Sequence, residues 1–185
     1  MGYFYFDFRD ANKQTLHDLV PSLLTQLSAH SVSRRDILSR LDEDHDNGKT
    51  QPSDDLLIQC LKSMLTLSDQ RSTYLIIDAV DECPNNSGIP TPRELVLQLI
   101  TELVDLRLPN AHICVTSRPE IDIREVLGPR TAGQVCLHDQ TGQKEDIADY
   151  VRSVVYSDSE SFMKRWRTDD KELVIETLSE RADGM

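Results

Sequence analysis

The sequence has 185 residues, of which 38% are hydrophobic and 28% charged, and its formal net charge is −12 at pH 7. This composition is typical of a globular domain, and an acidic chain without a concentrated Lys/Arg patch is a poor partner for nucleic acid. Since no run approaches the ~18 apolar residues of a membrane-spanning helix, we predict a cytoplasmic protein without a membrane partner.

The first half of the chain predicts one strand and two helices. Residues 3–8 (YFYFDF) are aromatic and β-prone, which favours a buried strand. Apolar residues then recur at helical spacing from Leu16 to Leu27, and Pro21 predicts a kink near the start of that helix. The polar stretch 42–55 is expected to be an exposed loop. Ser53 is predicted to cap a second helix that follows it.

The second half alternates strands with helices. Strands are predicted at 74–80, 112–117 and 134–138, and the first of these, YLIIDAV, is apolar enough to be buried on both faces of a sheet. Thr91, Pro92 and Glu94 form a capping-box helix start, and this helix should stop before Pro109. Further helices are predicted around 147–155 and 174–182, the last ending at Gly184.

The predicted order of elements indicates an α/β fold. Strands that alternate with helices favour a mainly parallel sheet, and right-handed crossovers are expected to place helices on both faces. We predict that residues 1–185 belong to one domain.

The four cysteines stand far apart, at positions 60, 83, 114 and 136. Without a CxxC pair they argue against a zinc ribbon and a disulfide framework. Cys114 and Cys136 lie inside apolar runs, so both are predicted to be buried thiols.

The segment 74-YLIIDAVDEC-83 carries the strongest chemical signal. Its strand ends at Asp78, and Asp81 and Glu82 follow on the next loop. In open parallel sheets ligands bind at the carboxyl ends of strands, and a hard dication such as Mg²⁺ would relieve the clustered charge. An acidic helix-capping loop is the alternative interpretation of the same residues.

A second strand end adds a positive group. Ser117 and Arg118 follow the strand 112-HICVT-116, and a planar guanidinium suits phosphate oxygens. The alternative is that Arg118 only neutralises Asp78 or Asp81.

Gly48-Lys49-Thr50 spells the end of a phosphate-binding GxxxxGK[ST] loop. The leading glycine is replaced by Glu43, and an acidic stretch stands where a strand should precede the loop. The motif requires its strand-turn-helix context, so we interpret this segment as an exposed loop.

Taken in order, the segments YFYFDFRD, LIIDAVDEC, ICVTSRPE, KEDIADYV and ERADGM resemble the NACHT domains of signal-transduction (STAND) P-loop NTPases. The form is most similar to large fungal proteins in which this domain precedes ankyrin or similar repeats. The resemblance implies a P-loop NTPase core of the ASCE/AAA+-like type. It also implies that Asp78 holds Mg²⁺ and that Asp81 and Glu82 position the hydrolytic water. Arg118, with Ser117 beside it, would face the γ-phosphate.

The resemblance also implies missing parts. In NACHT domains a Walker A strand and helix precede the segment that resembles YFYFDF, and a winged-helix region follows ADGM. We therefore expect a partial domain that takes ATP or GTP with Mg²⁺ only when complete, and that hydrolyses little by itself. The expected partners are the nucleotide, the rest of the NACHT domain, the repeat domains, and further copies of the chain through oligomerisation.

Two other functions remain open at this stage. One is a non-catalytic, NTPase-like scaffold or protein-interaction module. The other is a receiver-like domain phosphorylated on Asp78, against which stands the lack of a lysine at the end of a later strand. If the segment belongs to an NTPase site, the clustered charge predicts that neutralising Asp81 or Glu82 leaves stability unchanged or raises it.

Overall fold

The structure is a computed structural model that describes residues 1–29, 31–45, 50–67, 72–86, 88–136, 143–157 and 166–181. The chain divides into two compact units, Met1–Thr131 and Ala132–Met185. The elements of the first unit are β1 (Gly2–Tyr5), α1 (Leu16–Ser28), α2 (Val32–Asp44), α3 (Asp54–Thr66), β2 (Thr73–Asp78), α4 (Pro92–Asp105), β3 (Ala111–Val115) and α5 (Ile121–Leu127). The second unit contains α6 (Gln143–Val155) and α7 (Thr168–Arg181).

The three strands form one parallel sheet in the order β1-β2-β3. Tyr5 pairs with Asp78, and Ile77 pairs with Val115, so the carboxyl ends of all three strands meet at one edge. The mixed α/β class with a parallel sheet is therefore confirmed, at the scale of three strands. The fourth predicted strand is wrong for residues 134–136, which have no regular structure, while 137 and 138 lie outside the described residues.

The helices of the first unit pack on one face of the sheet. Phe4, Leu75 and Ile77 are buried in the core with the apolar stripes of the helices, whereas Tyr3 and Tyr74 on the opposite face are about half exposed. The strands follow chain order without reversal. Crossovers between parallel strands are almost always right-handed, and in this strand order such crossovers would carry each connection to the same face. The expected burial of both faces is wrong for this unit as far as the structure describes it.

The predicted helix starts are confirmed. Ser53 accepts a hydrogen bond from the backbone of Leu56 at the start of α3, and Thr91 forms a capping box with Glu94 at the start of α4. Helix α1 runs without a break through Pro21. Two helices were not predicted, α2 and α5, and α2 extends to Asp44, inside the stretch expected to be a loop.

Helix α1 and strand β1 are in close contact. A side chain at Gly2 would meet the Leu23 side chain at 3.2 Å, so glycine lets the strand approach the helix. The amide of Gln26 accepts from the backbone N–H of Tyr3 at 3.0 Å and donates to its carbonyl at 2.7 Å. The side chain thereby satisfies the backbone at the edge of the sheet, where an unpaired strand would otherwise invite pairing with another chain.

In the second unit, α6 and α7 pack against each other. Val155 and Ile175 are buried, and the Tyr156 hydroxyl donates to Glu172 at 2.8 Å. Both helices were predicted, although each begins earlier than expected, and Gly184 lies outside the described residues. No helix in the described part of the chain is both long and apolar enough to cross a bilayer.

The prediction that Cys114 and Cys136 are buried is wrong. Both are exposed, and Cys114 lies on the open face of β3. Cys83 is the buried thiol, beyond the end of β2. An apolar run does not reveal which of its alternate positions face the helices, so it could not separate these cases.

Candidate functional site

The candidate site lies at the carboxyl ends of β2 and β3 and consists of residues 78–83 and 116–118, here called the carboxyl rim. Strand β2 ends at Asp78, and the next residue, Ala79, adopts a left-handed conformation with φ of 55°. A 3-10 turn, Val80–Glu82, follows immediately. The sharp reversal brings three acidic residues to one edge of the sheet.

Thr116 connects the ends of the two strands. Its hydroxyl donates a short hydrogen bond to Oδ1 of Asp78 and accepts one from the backbone N–H of Ala79 at 3.1 Å. The Thr116 carbonyl also accepts from the backbone N–H of Val80 at 3.1 Å. One residue thus fixes both the Asp78 carboxylate and the turn that follows it.

Asp81 and Arg118 are paired across the carboxyl rim. The backbone N–H of Arg118 donates to Oδ1 of Asp81 at 2.9 Å, and its Nε lies 3.5 Å from Oδ2. The Asp81 side chain is only 10% exposed, whereas that of Arg118 is 73% exposed. The carboxylate is therefore held in place while the guanidinium faces solvent.

Glu82 points toward the segment after β1. Its Oε2 accepts from the backbone N–H of Phe8 at 3.2 Å. In the same segment Asp7 accepts from both the backbone and the Nε of Arg9, and these hydrogen bonds lower the pKa of the Asp7 carboxyl. The segment after β1 thus contributes a second, separate charged pair beside the rim.

The structure therefore brings all the predicted site residues to one edge. Asp78, Asp81, Glu82 and Arg118 each have a contact there, while Ser117 is exposed and its hydroxyl has no partner among the described residues. Thr116 was not predicted. The only signal for it was a hydroxyl at the end of the strand, directly before Ser117.

The three carboxylates turn to different donors. Within the described residues no three His, Cys, Asp or Glu side chains converge as a metal cluster. Mg²⁺ in nucleotide sites usually takes one or two carboxylates, its other ligands being waters and phosphates. A site of this kind needs only one or two protein carboxylates, and the exposed carboxylate of Asp78 provides one.

The Gly48-Lys49-Thr50 segment is only partly described. Gly48 and Lys49 lie outside the described residues, and Thr50 is exposed with its N–H bonded to the carbonyl of His45 at 3.2 Å. The described part of this segment gives no contact with the carboxyl rim.

No curated protein and no solved structure shows significant similarity to the chain. A family model described as Nephrocystin 3, N-terminal, matches residues 1–118, which include the whole sheet and the carboxyl rim as far as Arg118. The matching model is not a NACHT model. On a match across well over half of its length, the chain belongs to the nephrocystin 3 N-terminal family.

Proposed function

We propose that the carboxyl rim is the Mg²⁺- and γ-phosphate-facing half of a nucleotide site in a NACHT-type signalling switch. In such a switch a bound triphosphate orders one arrangement of the protein, and its hydrolysis releases that arrangement. The nucleotide is ATP or GTP. The remaining parts of the site, above all a phosphate cradle of backbone amides and a lysine, would come from outside the residues that form the carboxyl rim.

The observation that carries the proposal is the joint placement of Asp78 and Arg118. Asp78 ends β2, Arg118 follows β3, and these strands are parallel neighbours. The crevice at the carboxyl ends of parallel strands is where open α/β sheets bind ligands. A carboxylate and a guanidinium at that edge are complementary to a metal ion and to phosphate oxygens, respectively.

Each charged residue of the carboxyl rim is assigned a role from its exposure and its contacts. Asp78 would hold Mg²⁺, which supplies charge neutralisation to the phosphates when it is bound. Glu82 and Asp81 would orient water near the terminal phosphate. Arg118 is 73% exposed, and its guanidinium would turn from Asp81 toward the γ-phosphate. That exchange of partners makes the Asp81–Arg118 pair a candidate sensor of triphosphate.

The proposal is tested by nuclear magnetic resonance on the 185-residue chain, titrated with Mg²⁺·ATP and with Mg²⁺·ADP. We expect binding on the order of millimolar, since the sequence contains no complete GxxxxGK[ST] loop to cradle the phosphates. Shift changes should concentrate at the amides of the carboxyl rim and should be larger with ATP. Asp78→Asn should remove the Mg²⁺-dependent part.

Asp36→Asn is the matched control. Asp36 is exposed on α2, and Arg34 of the same helix bonds Thr73 at the other end of β2. This variant should behave like the wild type. Shift changes that are absent, or that spread over the surface without preference for the carboxyl rim, would reject the nucleotide site in favour of a non-catalytic scaffold.

A further inference from the structure

Arg93 is one of two buried arginines in the described part of the chain, the other being Arg34. It is the second residue of α4, and its side chain is only 8% exposed. Its Nε donates to the carbonyl of Cys83 at 3.0 Å, and its Nη2 donates a short hydrogen bond to the carbonyl of Asp81. The guanidinium is therefore hydrogen-bonded to the backbone of the acidic turn.

The same guanidinium reaches the segment after β3. Its Nη1 lies 3.2 Å from Oδ2 of Asp122 and 3.5 Å from Oε2 of Glu120. These two carboxylates flank the start of α5, and Glu120 stands two residues after Arg118. One side chain thus connects the turn that carries Asp81 with the segment that carries Arg118.

We propose that Arg93 is a positioning residue that sets the Asp81–Arg118 pair of the carboxyl rim. The inference rests on the proposed function for its role in sensing nucleotide, but the coupling itself concerns residues of this chain alone. On one side Arg93 binds the main chain of Asp81. On the other side it contacts the carboxylates of Glu120 and Asp122, which follow Arg118. The two partners consequently keep the separation at which the Arg118 amide reaches the Asp81 carboxylate.

Arginine suits this position for physical reasons. Its planar fork donates in several fixed directions at once, which allows it to bridge two carbonyls and two carboxylates, whereas lysine offers a single point charge. A buried cation is costly unless it is paired, and here Glu120 and Asp122 supply the opposite charge. Asn85 additionally donates to Asp122 at 3.0 Å, which fixes that anchor.

The test reads the coupling at the amide proton of Arg118. Asp81→Ala removes the acceptor of this amide and should shift its resonance. If Arg93 sets the pair, the shift caused by Asp81→Ala should be at least about twofold smaller in the Arg93→Met background than in the wild type. The double variant Glu120→Ala/Asp122→Ala removes both carboxylates that Arg93 contacts on the α5 side and should reduce the shift in the same direction, even if Arg93→Met fails to fold.

Arg34→Met is the control background. Arg34 is equally buried and donates to the carbonyl of Met64 at 3.2 Å and to the hydroxyl of Thr73 at 2.9 Å, at the opposite end of the sheet. Its loss should cost stability without altering the shift caused by Asp81→Ala. An equal reduction in this background would mean that general destabilisation weakens the pair, and the positioning role would be rejected.

The two proposals fail in different ways. If the shift caused by Asp81→Ala is unchanged without Arg93 and without its anchors, the coupling is refuted whatever the nucleotide titration shows. If the coupling is present but Mg²⁺·ATP leaves the carboxyl rim unperturbed, the coupling stands and the nucleotide function is refuted.

Discussion

The hydroxyl of Thr116 donates to Asp78 and accepts from the backbone N–H of Ala79, so a residue beyond β3 holds the end of β2. This contact is across two strands that are far apart in sequence. It fixes the carboxylate that would hold Mg²⁺ through one of its two oxygens, Oδ1. The hydrogen bonds of Thr116 thus join the ends of the two strands at the carboxyl rim.

Thr116→Val should lower the free energy of unfolding by about 1 kcal/mol, because the substitution keeps the shape but leaves the Ala79 amide and the Asp78 carboxylate without this partner. Urea denaturation measures the change. The Asp78 side chain should also become less fixed, which broadens the rim amides in NMR spectra. An unchanged unfolding free energy would show that water replaces the hydroxyl at no cost.

Thr101→Val should have the opposite effect on stability. The Thr101 hydroxyl is buried and has no hydrogen-bond partner in the described part of the chain. Replacing it with a methyl group of similar size removes a desolvation cost, so we expect the unfolding free energy to rise by up to ~1 kcal/mol. The same denaturation experiment compares the two threonines directly, and a loss of stability in Thr101→Val would reveal a hidden partner.

The sequence predicted the edge of the sheet better than its faces. Asp78 and Arg118 could be placed together because parallel strands share a carboxyl edge. The run YLIIDAV was predicted to be buried on both faces, yet Tyr74 is half exposed. Tyrosine and isoleucine are tolerated on a half-open face, so an apolar run cannot show whether one face or both are covered.

Helix α2 illustrates a second limit. Its sequence, VSRRDILSRLDED, is polar, and the helix includes the buried Arg34, which bonds Thr73 and the carbonyl of Met64. Because arginine is usually exposed, a hydrophobic pattern places even a buried arginine on the surface. The contacts of Thr116 and Phe8 in the candidate site were equally hidden, because they depend on how residues far apart in sequence meet.

Ala79→Gly should stabilise the protein or leave it unchanged, while Ala79→Val should cost roughly 1–2 kcal/mol. Ala79 has φ of 55°, a conformation that is costly for a side chain and most costly for a β-branched one. Ala29 is the matched control, since it is exposed with φ of −58°. At that position glycine should destabilise. Equal effects of glycine at both alanines in thermal denaturation would contradict the left-handed turn.

Cys83 should make the protein sensitive to alkaline pH. Burial raises the pKa of its thiol from 9.0 to about 12, so above pH 9 the unfolded chain loses this proton while the folded chain keeps it. Stability from this group is complete below pH 9 and is lost as pH rises toward 12, by roughly 1 kcal/mol at pH 10. The difference in unfolding free energy between pH 7 and pH 10 should therefore be smaller in Cys83→Ala. Cys114→Ala, which removes an exposed thiol, should match the wild type.

Asp81 and Glu82 should respond differently to neutralisation. From the sequence alone, the crowding of these carboxylates predicted that removing either charge would leave the stability unchanged or raise it. The contacts change this expectation for Asp81, whose nearly buried carboxylate accepts the Arg118 amide at 2.9 Å and lies 3.5 Å from its guanidinium. Glu82 has one contact, with the backbone N–H of Phe8 at 3.2 Å, and the amide oxygen of glutamine can accept the same hydrogen bond.

Asp81→Asn should consequently lower the unfolding free energy by about 1 kcal/mol, since a hydrogen bond to a charged, poorly solvated acceptor is weakened and the exposed guanidinium adds little. Glu82→Gln should stay within ~0.5 kcal/mol of the wild type. Urea denaturation near neutral pH measures both. If Asp81→Asn is instead neutral or stabilising, repulsion among the rim carboxylates outweighs the Arg118 contacts. The charge of Asp81 then lowers the stability of the folded protein. That result would contradict the predicted loss, and a charge kept at such a cost is what phosphate or metal chemistry at Asp81 would explain.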